Sequence, residues 1–285
     1  MIAIRLEGRL GNQLFQYAFI YSAAKRLNTS FYLDKSVDNF LLSEYFEVKK
    51  DFPGILDNKL FSIYGYKNIF RIHAKKAFYR LLNKIAFGEK EITISNTMPV
   101  KDALAQIKNH YLYIGHFQSA GYFNDFKEDI KTLYKINKKK LLEFEKVIRP
   151  FSVTKKKVVI HIRRGDYVDM DISLPISYYK KVIEIIDNNE VEYIFISDDP
   201  SYVKTEFEYL TNKYISSHNE IIDLQFLINA DICVLSHSSF SWWGAWLNNN
   251  QNKKIFAPKY WLGFKEGIEY PKGIFQNMEV TQIQF

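Results

Sequence analysis

The chain has 285 residues, 47% hydrophobic and 25% charged, the balance of a soluble globular protein of about two domains. Its single Cys233 excludes an intramolecular disulfide framework and a cysteine-based zinc cluster, and no apolar run reaches the roughly 18 residues of a transmembrane helix. The net charge of +7 is local: from Asn58 to Gly88 there is no Asp or Glu, while Lys59, Lys67, Arg71, Lys75, Lys76, Arg80 and Lys84 are all positive. That distribution speaks against a nucleic-acid-coating surface. It fits one basic element with an anionic partner, or else a solvated helix face.

In chain order, Ile2 to Leu6 is a strand-like apolar run and Gly8-Arg9-Leu10-Gly11 a turn. Asn12 to Leu27 is a helical stretch with Phe15, Ala18, Phe19 and Ser22 on one face. Within it, Leu14 to Ala24 has the length of a signal-peptide core. Gln13, Gln16 and the preceding glycine turn instead make it a helix of the folded protein, and the chain reads as cytoplasmic. Phe31-Tyr32-Leu33 is a second strand, completing a unit of the kind that builds parallel sheets. Between Lys67 and Lys84 the basic residues recur at about four-residue spacing, with Phe70, Ala74, Ala77, Phe78, Leu81, Leu82 and Ile85 as the apolar side of the same helix. Leu112-Tyr113-Ile114 is a strand leading into Gly115-His116-Phe117-Gln118.

A charged helix around Lys138 to Ile148 precedes the expected boundary, which gives domains of 1–152 and 153–285. The second half alternates strand and helix: Val158–Ile162, Ser177–Asn188, Tyr193–Ser197, Pro200–Leu210, Ile221–Asn229, Ile232–Leu235, Phe240–Asn248 and Ile255–Ala257. Such alternation predicts a doubly wound α/β sheet with ligands at the carboxyl ends of its strands.

Three places carry chemistry. At the end of a predicted strand stands His161-Ile162-Arg163-Arg164-Gly165-Asp166-Tyr167. Alternation puts His161 and Arg163 on one face and Ile160 and Ile162 on the other, with Arg164 free to pair with Asp166. A guanidinium there suits a phosphate, because its fork makes two charge-assisted hydrogen bonds; a structural Arg–Asp cluster is the competing reading. Ser236-His237-Ser238-Ser239-Phe240-Ser241-Trp242-Trp243-Gly244 spans a strand end and a helix start. Its hydroxyls can cap the helix, and the free N–H groups attract an anion. Capping alone needs one serine. Trp242 and Trp243 read as packing residues. The Gly8–Gln13 turn permits close backbone approach to a ligand but is not a dinucleotide fingerprint. Asp169-Met170-Asp171 has the Asp-x-Asp spacing of metal-dependent sugar-nucleotide enzymes, yet the histidines show no paired ligand spacing, so no metal is expected.

At these three places the sequence resembles the bacterial α-1,2-fucosyltransferases. Gly8 to Ala18 matches that family's opening motif, His161 to Tyr167 its central basic motif, and Ser238 to Ala245 its carboxyl-terminal motif, in the same order and spacing. Gly115-His116-Phe117-Gln118 and Tyr122-Phe123 fit a segment between them, and His237 departs from the family's usual Asn. The resemblance implies a GT-B fold, two Rossmann-like domains facing across a cleft, with GDP-L-fucose bound mainly by the second and the acceptor against the first. By resemblance to other GDP-fucose enzymes, His161 and Asp223 would contact guanine and Arg163 the β-phosphate, assisted by Ser238 and Ser239. Gly11 and Asn12 would approach the nucleotide from the first domain, with His116 and Gln118 as acceptor contacts.

The reaction so implied is an inverting, metal-independent transfer of L-fucose to the 2-hydroxyl of a galactose, with no cofactor. Its setting would be surface-polysaccharide synthesis, O-antigen or lipopolysaccharide. Glu7 and Asp171 are candidate general bases. A GDP-fucose transferase of another linkage and a non-catalytic sugar-nucleotide-binding protein are the alternatives. The basic amphipathic stretch suits peripheral docking on the inner, anionic face of a membrane, with access to a lipid-linked glycan; otherwise its apolar side packs in the first domain.

Overall fold

The computed structural model describes residues 1–48, 69–88, 90–186 and 190–285. Lys59, Lys67 and Asn188, which figure in the expectations above, lie outside them. The chain divides into two compact units, Met1–Ile136 and Asn137–Phe285.

The first unit runs β1 (Ile2–Arg5), α1 (Leu10–Arg26), β2 (Phe31–Asp34), α2 (Ile69–Phe87), β3 (Glu91–Thr93) and β4 (Leu112–Ile114), with short helices at Leu42–Tyr45, Val100–Ala105 and Lys127–Leu133. Its sheet has the order β2-β1-β4-β3 and every pairing is parallel. β1 is covered on both faces, hence its unbroken apolar run. α1 is buried nearly all round, and Phe19 stacks on Phe117 at 3.7 Å between ring centroids. The run with signal-peptide length is thus a core helix, and Lys25 and Arg26 in its last turn complement the helix dipole.

The second unit continues with α3 (Lys138–Ile148), β5 (Lys156–Ile162), α4 (Gly165–Asp169), α5 (Ile176–Ile186), β6 (Val191–Ser197), α6 (Pro200–Glu206), β7 (Lys213–Ile215), α7 (Glu220–Ile228), β8 (Ile232–Val234), α8 (Ser239–Leu247), β9 (Lys254–Pro258) and β10 (Thr281–Ile283). The sheet order is β10-β9-β8-β5-β6-β7, again parallel throughout. Val158, Ile160 and Ile162 of β5 join one core cluster with Tyr178, Tyr179 and Val182 of α5, which leaves His161 to the opposite face.

The division falls at 136/137, ahead of the expected 152/153. α3 is the cause: Phe144 meets Phe226 of α7 edge-on at 5.2 Å, and Gln225 Nε2 donates to the Lys140 carbonyl at 3.2 Å. The charged helix therefore belongs to the second core. α7 and α8 approach closely because Gly244 has no side chain; a Cβ there would run into Leu227. Trp242 and Trp243 are fully buried, and the Trp242 indole N–H donates to the Ile274 carbonyl at 2.8 Å, so both pack as expected.

Candidate active site

Parallel strands end together, and a doubly wound sheet gathers its functional side chains at that end. In the second unit β5 delivers His161 there. Its Nδ1 lies 2.7 Å from Ser236 Oγ, just beyond β8, and its ring sits 5.3 Å from that of Phe240. Burial above all, then Arg163 and His237, pushes its pKa down to about 3. The ring is a fixed, neutral hydrogen-bonding group.

Arg163 follows the end of β5. Its Nη1 stands 2.6 Å from Asp198 Oδ2, its Nη2 bonds Asp166 Oδ1, and the guanidinium lies 5.3 Å from the Tyr167 ring centroid. The register pairs Ile162 with Ser197, so one residue further on Arg163 meets Asp198. Gly165 makes room for this, since a Cβ there would stand 2.6 Å from Asp198 Oδ2. Arg164 does not pair with Asp166. Its Nε bonds Asp199 Oδ2 at 3.1 Å and its guanidinium lies 3.6 Å from the Tyr202 ring centroid. The reason is competition: Asp166 is already held by Arg163, and Asp199 is anchored at the start of α6, where it accepts from the Tyr202 N–H. Asp198 and Asp199 were not among the candidates. Their signal was an acidic pair ending a strand before a helical proline, Ser197-Asp198-Asp199-Pro200.

The serine turn divides its work. Ser238 caps α8, accepting from the Phe240 N–H at 3.4 Å, and Ser241 Oγ donates to the Ser236 and Ser238 carbonyls. Ser239 is the first residue of α8. His237 donates from Nε2 to the Ile172 carbonyl at 2.6 Å and stacks on Phe264. Burial holds its pKa at about 4, and its buried Nδ1 has no hydrogen-bond partner. Asp223, in α7, accepts from Ser216 Oγ at 2.5 Å; burial raises its pKa to about 6 against the pull of that hydrogen bond.

Asp171 lies apart from this cluster. Its side chain is 94% exposed, paired with Lys265 at 2.7 Å, on a residue with φ of 53°. Asp169 is exposed as well. Among the described residues no three His, Cys, Asp or Glu side chains are grouped to hold a metal ion.

In the first unit the Gly8–Gln13 turn is held from within. Gly8 has φ of 86°, and a Cβ would collide with the Asn12 side chain. Its N–H donates to Asp38 Oδ2 at 2.7 Å. Buried Gln13 donates to the Gly8 and Asn39 carbonyls and accepts from the Leu41 N–H. Buried Gln16 accepts from the Glu7 N–H and donates to the Gly115 carbonyl, each at 3.1 Å. Gln118 Nε2 donates to Asn12 Oδ1 at 3.1 Å. Gln16 and Gln118 thereby tie the turn after β1 to the loop after β4, while Gly11 is buried in the first turn of α1. Glu7 follows β1 and His116 follows β4, two strands that pair directly. Burial lowers the His116 pKa, and the Glu7 carboxylate works against that. The sequence marked Gln13 and Gln16 as polar residues in an apolar run but did not give their task.

The architecture is similar to the crystal structure of the fucosyltransferase NodZ from Bradyrhizobium, with a TM-score of 0.52 at 10% identity, covering 86% of this chain and 92% of that one. NodZ, an α-1,6-fucosyltransferase, has also been solved with GDP. The fold is α/β of the GT-B class, with two Rossmann-like units whose polar residues collect at strand ends. The chain is a glycosyltransferase and belongs to glycosyl transferase family 11, whose family model matches residues 1–263. Two relatives from Escherichia coli are similar over nearly their full length. The O-antigen biosynthesis glycosyltransferase WbnK is 28% identical, covering 90% of this chain and 93% of its own; an alpha-1,2-colitosyltransferase is 29% identical, covering 93% and 94%. No described helix is long and apolar enough to cross a membrane.

Proposed function

We propose that this glycosyltransferase moves L-fucose from GDP-L-fucose to the 2-hydroxyl of a galactose in a surface-polysaccharide acceptor, inverting the anomeric centre without a metal. The observation that carries the reading is the convergence of buried His161, Arg163 and the Ser238–Ser239 start of α8 at one end of the second sheet. They stand in the same order as the fucosyltransferase motifs they resemble. The α-1,2 linkage is supported by the similarity to the alpha-1,2-colitosyltransferase, and the O-antigen setting by that to the O-antigen biosynthesis glycosyltransferase.

In this reading the second unit takes the donor. His161 and Asp223 hold guanine, and Arg163 meets the β-phosphate with Ser238, Ser239 and the α8 dipole. The acceptor oxygen forms its bond to C1 of fucose as the bond from C1 to the phosphate oxygen breaks and GDP leaves with the electron pair. Stabilising that departing charge is the main catalytic task, and a preoriented guanidinium performs it. The first unit takes the acceptor through His116 and Gln118, with Gly11 and Asn12 of the glycine turn on the nucleotide. The hydroxyl proton passes to His116, whose lowered pKa keeps the ring neutral and whose imidazolium the Glu7 carboxylate stabilises. Asp171, paired with Lys265 in solvent, is the weaker base.

A second reading is favoured by the colitosyltransferase relative: colitose is fucose without its 3-hydroxyl, and the donor would be GDP-colitose. GDP release measured with GDP-fucose and GDP-colitose against galactose-terminated acceptors, followed by linkage analysis of the product, separates the readings. Turnover of GDP-fucose to an α-1,2 product supports the first. Donor binding without transfer to any acceptor would return the protein to a non-catalytic binder.

A further inference from the structure

A surface helix ordinarily turns an apolar stripe to the core and a polar face to water; helix α2 carries apolar residues on both its inner and its outer side. Toward its own unit it turns apolar residues interrupted by two buried polar ones, Lys75 and Asn83. Buried Lys75 donates to Asn39 Oδ1 at 2.9 Å, and buried Asn83 donates to Asp34 Oδ2 at 2.8 Å. Tyr79, between those two, and Phe87, one turn beyond, pack with Tyr32 and Leu112, joined by Phe78, Leu82 and Ala86. Only part of the predicted apolar side is thus used inside, and Lys75 of the predicted basic face is buried instead.

The remainder points outward. Phe70, Ala74, Ala77, Leu81 and Ile85 follow the spacing of a single helix face, and Phe70, Leu81 and Ile85 are 74%, 59% and 76% exposed. Beside that stripe run Lys76, Arg80 and Lys84, four residues apart and all exposed. No acidic residue interrupts them anywhere in the helix. Single exposed apolar residues are ordinary on a protein surface; a contiguous stripe with a cationic border is the pattern of a helix that lies in a lipid interface.

We infer that α2 is a docking surface for an anionic lipid bilayer, with Phe70, Leu81 and Ile85 entering the headgroup boundary and Lys76, Arg80 and Lys84 meeting the lipid phosphates. Charge decides the occupant. A second copy of the chain would pair the stripe with itself and set like charges along both borders, whereas an anionic bilayer satisfies the apolar and the cationic residues together. The same three cations line a cavity of about 600 Å³ whose other walls include Arg5, Glu7 and Asp34. Docking brings that cavity, and Glu7 with it, to the lipid surface, where an acceptor carried on a lipid is held. That last consequence rests on the acceptor role proposed above; the docking does not.

Co-sedimentation of the full chain with phosphatidylglycerol–phosphatidylcholine vesicles tests it without any activity measurement. The protein should pellet with these vesicles at low salt, stay with the supernatant over pure phosphatidylcholine, and be released as salt is raised. The triple variant Lys76→Gln, Arg80→Gln, Lys84→Gln should partition roughly a hundredfold less. Leu81→Ser with Ile85→Ser should also weaken binding, with the melting temperature of both variants showing that the fold is kept. Wild type left in the supernatant at low salt, or a charge variant that binds as well as wild type, overturns the proposal. So does a dimer in solution that Leu81→Ser with Ile85→Ser dissociates while no vesicles are bound, since the face would then belong to a second copy.

Discussion

Arg163 Nη1 stands 2.6 Å from Asp198 Oδ2, so the guanidinium assigned to the donor phosphate is held by a carboxylate before any phosphate arrives. Asp166 takes the other branch of the fork. Three carboxylates, Asp166, Asp198 and Asp199, surround two arginines, and a phosphate must exchange with at least one of them. Asp166 is the exchangeable partner because it is the most exposed of the three. Arg163→Ala should lower turnover about a hundredfold or more, on the order of 3 kcal/mol of transition-state stabilisation. Asp166→Asn should bind GDP at least as tightly as wild type, by calorimetry. Near-wild-type turnover by Arg163→Ala sinks the phosphate role.

Arg164 has a different task. It lies against the Tyr202 ring and bonds Asp199, whose other oxygen caps α6. Arg164→Ala removes a cation–π contact and a charged hydrogen bond at once, about 1–3 kcal/mol of stability. Thermal melts should place it below Arg163→Ala. The reverse order would show that Arg164 is not the structural member of the pair.

The strand–helix order of the second unit was legible because its buried strands are continuous apolar runs and its helices carry recognisable starts, such as Pro200 at the first position of α6. β3, β7 and β10 were not, since each has three residues with incomplete burial, too few for any periodicity. At the candidate site, His161 and the Ser238 cap could be read from strand alternation and helix-start chemistry. Asp198 could not, because its role comes from the β5–β6 register, which pairing sets and local sequence does not. Gln16 was hidden for a similar reason: its partners, Glu7 and Gly115, are brought together only by the β1–β4 pairing.

Two buried neutral histidines make stability depend on pH. The folded pKa values of His161 and His237 are about 3 and about 4, while an unfolded histidine titrates near 6.5. Between those values the unfolded chain binds more protons, so stability is full above about 6.5 and falls as pH drops toward 4. Asp223, raised to about 6, has the opposite sign, since its folded form takes up a proton first. Two groups outweigh one, and the melting temperature should decline from pH 7 to 5. His237→Gln should flatten that decline; an unchanged slope would remove His237 as a cause.

GDP-fucose turnover should be unaffected by EDTA. In the proposed mechanism Arg163 and the α8 N-terminus supply the positive charge that a divalent ion would otherwise bring to the leaving diphosphate. Activity lost in EDTA and restored by Mg²⁺ or Mn²⁺ would mean that a metal neutralises the diphosphate, and would return Asp169 and Asp171 to consideration as ligands.

The base role proposed for His116, with Glu7 as its counter-charge, has its own signature in the pH–rate profile. A general base must be unprotonated, so if His116 is the base kcat should fall as pH drops through its folded pKa, which burial sets below its ordinary value. His116→Gln should lower kcat about a hundredfold or more, within the range that general-base catalysis contributes. Glu7 acts in the other direction on that pKa: its carboxylate favours the imidazolium. Glu7→Gln leaves burial unopposed, so the acid limb of kcat should move to lower pH while the maximal rate falls, because the imidazolium formed in the transition state has lost its counter-charge. A structural role for Glu7 alone would lower the rate and leave the limb in place. An acid limb that stays put in Glu7→Gln, or a His116→Gln variant with normal kcat, would take proton transfer away from this pair.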